Sequence, residues 1–242
     1  FRQKSVENVL AEIDAICAIW PNPFIELADD NTFINKKWSK EFLRGMSERN
    51  VRWFTETDIA IADDPELLDL LADSGCQQVL VGLESTKPDS LSGLDRNDWK
   101  LRRLNSYKAS INEIQSRGVT VNGCFIIGLE GDTPEVFDEI RDFIVDSGLL
   151  ECQITVLTPF PNTRLHRQLE SEGRLLKPDY WDRCTLFDVT YTPAKMSVVQ
   201  LESGMMRLFS ELYNEEATNS RRRLYMEIRK NRVNAGLVRA DR

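Results

Sequence analysis

The stretch from Val119 to Leu157, VTVNGCFIIGLEGDTPEVFDEIRDFIVDSGLLECQITVL, carries the reading on which the fold turns. It opens with an apolar run, Val119 to Leu129, of strand character. Thr133-Pro134-Glu135 then starts a helix, since proline in a first helical turn gives up no N–H that the helix would use. Gly148 closes that helix, and Cys152-Gln153-Ile154-Thr155-Val156-Leu157 comes next as a second strand. A strand, a helix and a strand in close succession make a βαβ unit, and such units build parallel sheets.

The same unit recurs upstream. Ser5 can cap a helix in which Val6, Val9, Leu10, Ile13, Ile16, Cys17 and Trp20 return at helical spacing, until Pro21 and Pro23 end it. Phe24 to Asp29 reads as a strand, followed by a helix carrying Trp38, Phe42, Leu43 and Met46. Val51 to Glu56 is the next strand; Asp64 and Pro65 open a helix that Gly75 closes. Gln78 to Glu84 is a third strand, and a longer excursion leads to a helix through Leu104, Tyr107, Ile111 and Ile114 that stops at Gly118. Beyond the quoted stretch, Thr163 to Glu172 is a short helix, 174–196 are mixed, and 197–232 read as two helices.

The pattern predicts an α/β fold: a partial parallel (β/α) TIM-type barrel with five of about six strands over residues 1–173, then a mixed and helical C-terminal extension over 174–242. A helix with no strand before it places the sixth strand ahead of this chain. An open doubly wound sheet is the alternative, disfavoured because the first strand–helix turn has no glycine-rich phosphate loop.

Composition excludes several classes. The 242 residues, 41% hydrophobic, suit one barrel plus an appendage, and no apolar run nears the ~20 residues of a membrane helix. The chain begins Phe1-Arg2-Gln3-Lys4, without Met or a signal sequence, which fits a fragment of something longer and equally a trimmed or processed start. A net charge of −8 argues against nucleic acid as the main partner. Residues 221–242 carry eight Lys or Arg against two acids, a local +6 that leaves −14 on residues 1–220. That segment reads as a solvated helix and tail, or as a contact for a missing segment or an anionic partner. Cys17, Cys76, Cys124, Cys152 and Cys184 are odd in number and widely spaced, fitting reduced thiols of a cytoplasmic protein and no metal loop. Cys124 and Cys152 read as small core residues.

Parallel α/β folds bind ligands at the carboxyl ends of their strands. Those ends hold Glu26, Asp29 and Asp30; Thr55, Glu56 and Asp58; Glu84 and Ser85; Gly128, Glu130 and Asp132; and Thr158 and Pro159. Such a rim is acidic, nearly devoid of Lys or Arg, and suited to a cationic or polyhydroxylated ligand. The single histidine, His166, argues against His-rich zinc sites and a Ser–His–Asp triad, and there is no GxxxxGK[ST] loop. Paired carboxylates for glycoside hydrolysis remain compatible with the rim. Trp53, Trp99 and Trp181 could form an apolar substrate face or simply pack.

Four segments, Phe24 to Ile34, Val79 to Ser85, Gly123 to Thr133 and Thr155 to Thr163, resemble successive strand-end motifs of radical SAM enzymes. The likeness is greatest to the group with an N-terminal cobalamin-binding domain, and it covers roughly residues 1–215. It implies S-adenosylmethionine (SAM) as ligand, with Asp29 and Asp30 at the methionine amino group and Glu84 and Ser85 at the ribose or methionine carboxylate. Ile126 and Gly128 would meet the adenine, as would the backbone of Leu157 and Pro159. Each also has a plainer reading: Ile126 and Leu157 as core, Asp30 as a turn cap. The resemblance further implies a [4Fe–4S] cluster held by a CxxxCxxC loop that this sequence lacks. Phe1-Arg2-Gln3-Lys4-Ser5 resembles the stretch on the C-terminal side of that loop, so the cluster ligands, the first strand and any cobalamin domain are expected upstream. The implied reaction is reductive cleavage of SAM to a 5′-deoxyadenosyl radical acting on a small-molecule substrate, fed by an electron donor to the cluster, with methyl transfer where cobalamin is used. The competing readings are an inactive barrel remnant, a partner-binding fragment, and a carboxylate-pair barrel hydrolase.

Overall fold

The computed structural model describes residues 3–177 and 179–234. Phe1 and Arg2 of the opening segment, and residues 235–242 of the basic tail, lie outside the described residues. One five-stranded sheet runs β1 (Phe24–Leu27), β2 (Arg52–Thr57), β3 (Cys76–Glu84), β4 (Thr120–Ile127) and β5 (Glu151–Val156). Every neighbouring pair is parallel, and the strands stand in chain order. A doubly wound sheet reverses its order at a switch point. Among the described residues this one does not, so the sheet is a partial (β/α) barrel wall.

The helices form where the caps place them. Ser5 accepts the Asn8 N–H at the start of α1 (Val6–Ile19), and Asn35 accepts that of Trp38 at α2 (Lys36–Ser47). Asp64 caps α3 (Pro65–Asp73), with Pro65 in its first turn. After β3 come two short helices, α4 (Pro88–Leu91) and α5 (Trp99–Arg103), then α6 (Tyr107–Gln115), α7 (Val136–Ser147) and α8 (Arg164–Ser171). α9 (Val198–Leu212) and α10 (Glu215–Asn234) complete the described elements.

Strand alternation sorts the sheet into two faces. Trp53, Val79, Val81, Leu83, Val121, Phe125, Ile127 and Ile154 point to one side and are 0–1% exposed. There they share one core with Ile13, Phe42, Leu67, Ile111 and Ile144 of the helices. The opposite face carries Leu80, Gly82, Glu84, Asn122, Cys124 and Ile126, all half-buried. Parallel sheets are ordinarily covered on both faces; here one is packed and the other forms the open, inner side of the barrel wall.

The extension divides in two. Residues 174–177 and 179–192 lie at the carboxyl end of the sheet: Val156 N–H donates to Leu186 O (2.7 Å), and Leu175 bridges Tyr191. The helices do not sit there. α9 packs on α7, with Leu201, Leu208 and Leu212 in the common core. α10 reaches the amino ends of β4 and β5, where Tyr225 donates to Gly118 O (2.9 Å) and Arg221 to Leu150 O (3.1 Å). Arg221, only 9% exposed, is thus a buried strut rather than a solvated charge.

Candidate functional site

Alternation along three strands brings Leu80, Gly82 and Glu84, Cys124 and Ile126, and Gln153 and Thr155 to one side, where they floor a cavity of about 510 Å3. Asp30 and Asn31 after β1, Glu56, Thr57 and Asp58 at and after the end of β2, Phe125 of β4, and Trp99 and Lys100 of α5 form the rest of its wall. Four carboxylates, Asp30, Glu56, Asp58 and Glu84, thereby face one ammonium, Lys100.

Hydrogen bonds lock the loop after β1 to the end of β2. Asn31 donates through Nδ2 to Asp58 (2.8 Å) and accepts from Thr57 Oγ1 (3.3 Å). The other Asp58 oxygen caps the turn at 59–63 by accepting the Ala60 N–H (2.8 Å). Beneath them Thr32 and Thr55 share a buried hydroxyl contact of 2.6 Å. Burial, then the charges of Asp30 and Glu26, raise the Glu56 carboxyl above its ordinary value.

Glu84 is placed by unusual backbone. Its φ is +65°, a left-handed conformation that costs a residue with a side chain energy, and the β3–β4 register shifts between Gly82 and Glu84. Ser85 N–H returns to Leu83 O (2.9 Å), closing a three-residue turn around Glu84. The carboxylate is ion-paired with Lys100, whose Nζ also donates to Gly82 O (2.8 Å). A methyl group on residue 82 would stand 2.5 Å from Glu84 Oε1, so glycine makes room for the pair.

Of the residues predicted from sequence, the structure brings Asp30, Glu84 and Ile126 together on the cavity wall. Five others stand outside that wall. Asp29 is exposed and accepts the Asn31 N–H (3.0 Å) in a local turn. Ser85 is fully buried, with Oγ accepting the Lys87 N–H (3.1 Å). Gly128, at φ +88°, faces Tyr191, whose hydroxyl donates to its carbonyl (2.5 Å); a Cβ there would lie 2.2 Å from that oxygen. Leu157 N–H is spent on Ile127 O (2.9 Å), and Pro159 O accepts from Tyr180 (3.0 Å).

The acidic rim also needs correcting. Glu130 pairs with Arg174 (2.8 Å). Asp132 is buried, accepting the N–H groups of Gly128 (2.8 Å) and Leu129 (3.0 Å) and the Ser90 hydroxyl. Burial raises its carboxyl above the ordinary range despite those three bonds. One cation, Lys100, also reaches the rim from a loop helix.

Sequence reasoning missed Lys100, Asn31 and Cys124. The i, i+2 relation of Cys124 to Ile126 would have placed that thiol on the inner face. It is not core: it borders the cavity, where burial, then Glu84 and Glu56, push it up to about 12. Cys152, 8% exposed, does belong to the core. The five thiols are unpaired, and among the described residues no three His, Cys, Asp or Glu side chains gather to hold a metal ion. A three-thiolate cluster site therefore does not fit these residues. His166 stacks on Trp181 (6.4 Å, 11°), and Trp53 is core, donating to Ser74 O (3.0 Å). Of Trp53, Trp99 and Trp181, only Trp99 borders the cavity.

A sequence profile of the radical SAM superfamily matches residues 1–144. Bacteriochlorophyllide d C-12(1)-methyltransferase of Chlorobaculum tepidum is 26% identical over 223 residues, 91% of this chain and 48% of that protein. Hopanoid C-2 methylase of Rhodopseudomonas palustris is 27% identical over 184 residues, 74% of this chain and 34% of that protein. The chain spans about half the length, or less, of the curated relatives it matches. Among solved structures, the radical S-adenosylmethionine methyltransferase TsrM from Kitasatospora setae, with tryptophan substrate and the SAM analogue aza-SAM bound, aligns at TM-score 0.65 and 17% identity. That alignment covers 86% of this chain and 47% of the other, and it is a likeness of fold. No helix among the described residues is long and apolar enough to cross a membrane.

Proposed function

The chain belongs to the radical SAM superfamily, and from that premise we propose that its cavity holds S-adenosylmethionine within a larger radical SAM enzyme. One observation carries the reading: four carboxylates surround about 510 Å3 at the carboxyl end of a parallel sheet. A ligand with a sulfonium and an ammonium relieves their mutual repulsion. Glu84 accepts ribose hydroxyls, Asp30 the ammonium, and Ile126 and Trp99 pack the adenine. Asp29, Ser85, Gly128, Leu157 and Pro159 shape the turns from which those groups project. Bound there, SAM supplies a one-electron route to breaking an unactivated C–H bond.

The described cysteines do not supply the cluster, so we assign its thiolates, its electron donor and an upstream segment to the rest of the enzyme. The relatives named as a methyltransferase and a methylase support methyl transfer to a small molecule, and the TsrM structure with cobalamin and a [4Fe–4S] cluster bound supports cobalamin as second cofactor. Residues 1–173 would be the SAM-holding barrel wall and 174–242 its extension. Five unpaired thiols favour a reducing cytoplasm.

Titration calorimetry of the 242-residue chain with SAM tests the central step. Saturable binding is expected, weakened about tenfold or more by Glu84→Gln, which removes a charged acceptor. A wild-type chain that neither binds SAM nor competes for it would overturn the reading and leave an inactive barrel remnant or partner-binding fragment. Joined to a segment bearing a CxxxCxxC loop and reconstituted anaerobically with iron and sulfide, the enzyme should cleave SAM reductively.

A further inference from the structure

We propose that Lys100 is the positioning residue of this site, fixing the Glu84 carboxylate in the orientation in which it meets the ligand's ribose; the inference rests on the SAM-binding reading of the cavity. Lys100 bridges two points of the β3 end at once, the Glu84 carboxylate and Gly82 O at 2.8 Å. Both side chains are about four-fifths buried, at 20% and 18% exposure. Ion pairs so placed are screened less than surface pairs, which makes geometry rather than bulk salt decide their effect.

Three features serve this contact. Gly82 leaves the space: a methyl there would stand 2.5 Å from Glu84 Oε1 and 3.1 Å from Lys100 Nζ. Asp95 sets the short helix that carries the lysine, its carboxylate accepting the N–H groups of Trp99 (2.6 Å) and Lys100 (3.0 Å). Tyr107 ties that helix to the strand, its hydroxyl lying 3.2 Å from Leu83 O and 3.4 Å from Lys100 O. The lysine is thus aimed from both ends of its chain.

The consequence for Glu84 comes from charge and freedom. Asp30, Glu56 and Asp58 border the same cavity, and their repulsion would drive an unpaired glutamate toward solvent. Lys100 occupies Oε1 and leaves Oε2 for a hydroxyl donor. A carboxylate ordered before the ligand arrives loses little rotamer freedom on binding. Lys100 acts through Glu84, so its removal should matter only for ligands that Glu84 reads.

The test is calorimetry on the full chain with two ligands, SAM and its 2′,3′-dideoxyribose counterpart. Lys100→Met should weaken SAM about tenfold and leave the dideoxy ligand nearly unchanged. Lys100→Arg should restore most of the affinity, and Lys100→Met added to Glu84→Gln should cost nothing further, as expected of two residues acting as one. Equal weakening of both ligands, full additivity with Glu84→Gln, or an unchanged Lys100→Met would overturn the inference while leaving SAM binding intact. A wild-type chain silent toward SAM would overturn both together. Should Lys100→Met fail to fold by circular dichroism, Lys100→Gln, which keeps a donor for Gly82 O without the charge, reads the same contrasts.

Discussion

Leu83 and Leu80 lie three positions apart on β3 and inhabit different media. Leu83 is fully buried among helices, while Leu80 borders an open, carboxylate-rich cavity. The same contrast runs through neighbouring strands, setting Ile127 against Ile126 and Ile154 against Gln153. One face is selected for volume, because interiors are close-packed and intolerant of voids. The other is selected for charge and reach. A single sheet therefore separates stability from binding by nothing more than the parity of residue number along each strand.

The sharpest way to break that comparison is a matched pair of substitutions. Leu83→Ala should destabilise the fold by ~3 kcal/mol through lost transfer energy and a cavity, and Leu80→Ala by under ~1 kcal/mol. Chemical denaturation followed by circular dichroism reads both; similar losses would mean that the inner face is core as well. Gly82→Ala should invert the pattern, costing stability only about 1 kcal/mol or less, since the atoms it crowds are flexible side-chain ends, while lowering SAM affinity about tenfold. A variant that kept full affinity would show that the ion pair can shift without harm.

The smallest effect concerns Glu56. Its folded carboxyl holds the proton to a higher pH than in the unfolded chain. The ionised form is thus disfavoured by folding above the raised value, and the penalty disappears as pH falls through it toward the ordinary glutamate range. Glu56→Gln should accordingly stabilise the chain slightly at pH 7, by well under ~1 kcal/mol given the group's exposure, with the gain vanishing at pH 4. Thermal melts at the two pH values decide it; a gain that grows at low pH would reverse the sign of the argument.

Much of the packed face was legible from residues alone. Ser5, Asp64 and Pro65 announce helix starts, and period-two strands between period-3.6 helices announce a parallel sheet. The open face was legible only in part. Asp30, Glu84 and Ile126 meet because strand ends converge, a rule that sequence obeys. Lys100 was hidden because it returns to Glu84 from 16 residues on, through a turn with left-handed Asn97 and Asp98 that periodicity does not encode. Asp95 holds the N–H groups four and five residues ahead, not the two or three of an ordinary cap, so no capping signature marks it. Gly128 shows the same limit: its close neighbour is Tyr191, 63 residues away, and glycine reads alike whether ligand or hydroxyl approaches.

The buried Asp132 has one more implication. Its carboxylate gathers the start of the loop after β4, while the Ser90 hydroxyl donates to it from the loop after β3. Lys87 donates to Thr133 (2.9 Å), and Gly131 lies so near the Asp89–Ser90 backbone that a side chain would collide at 2.4 Å. These two loops are riveted into a single plate. With α5 fastened to the β3 end through Lys100 and Tyr107, the cavity mouth on this side is a rim of cross-braced loops, so a substitution in one of them is felt by the others.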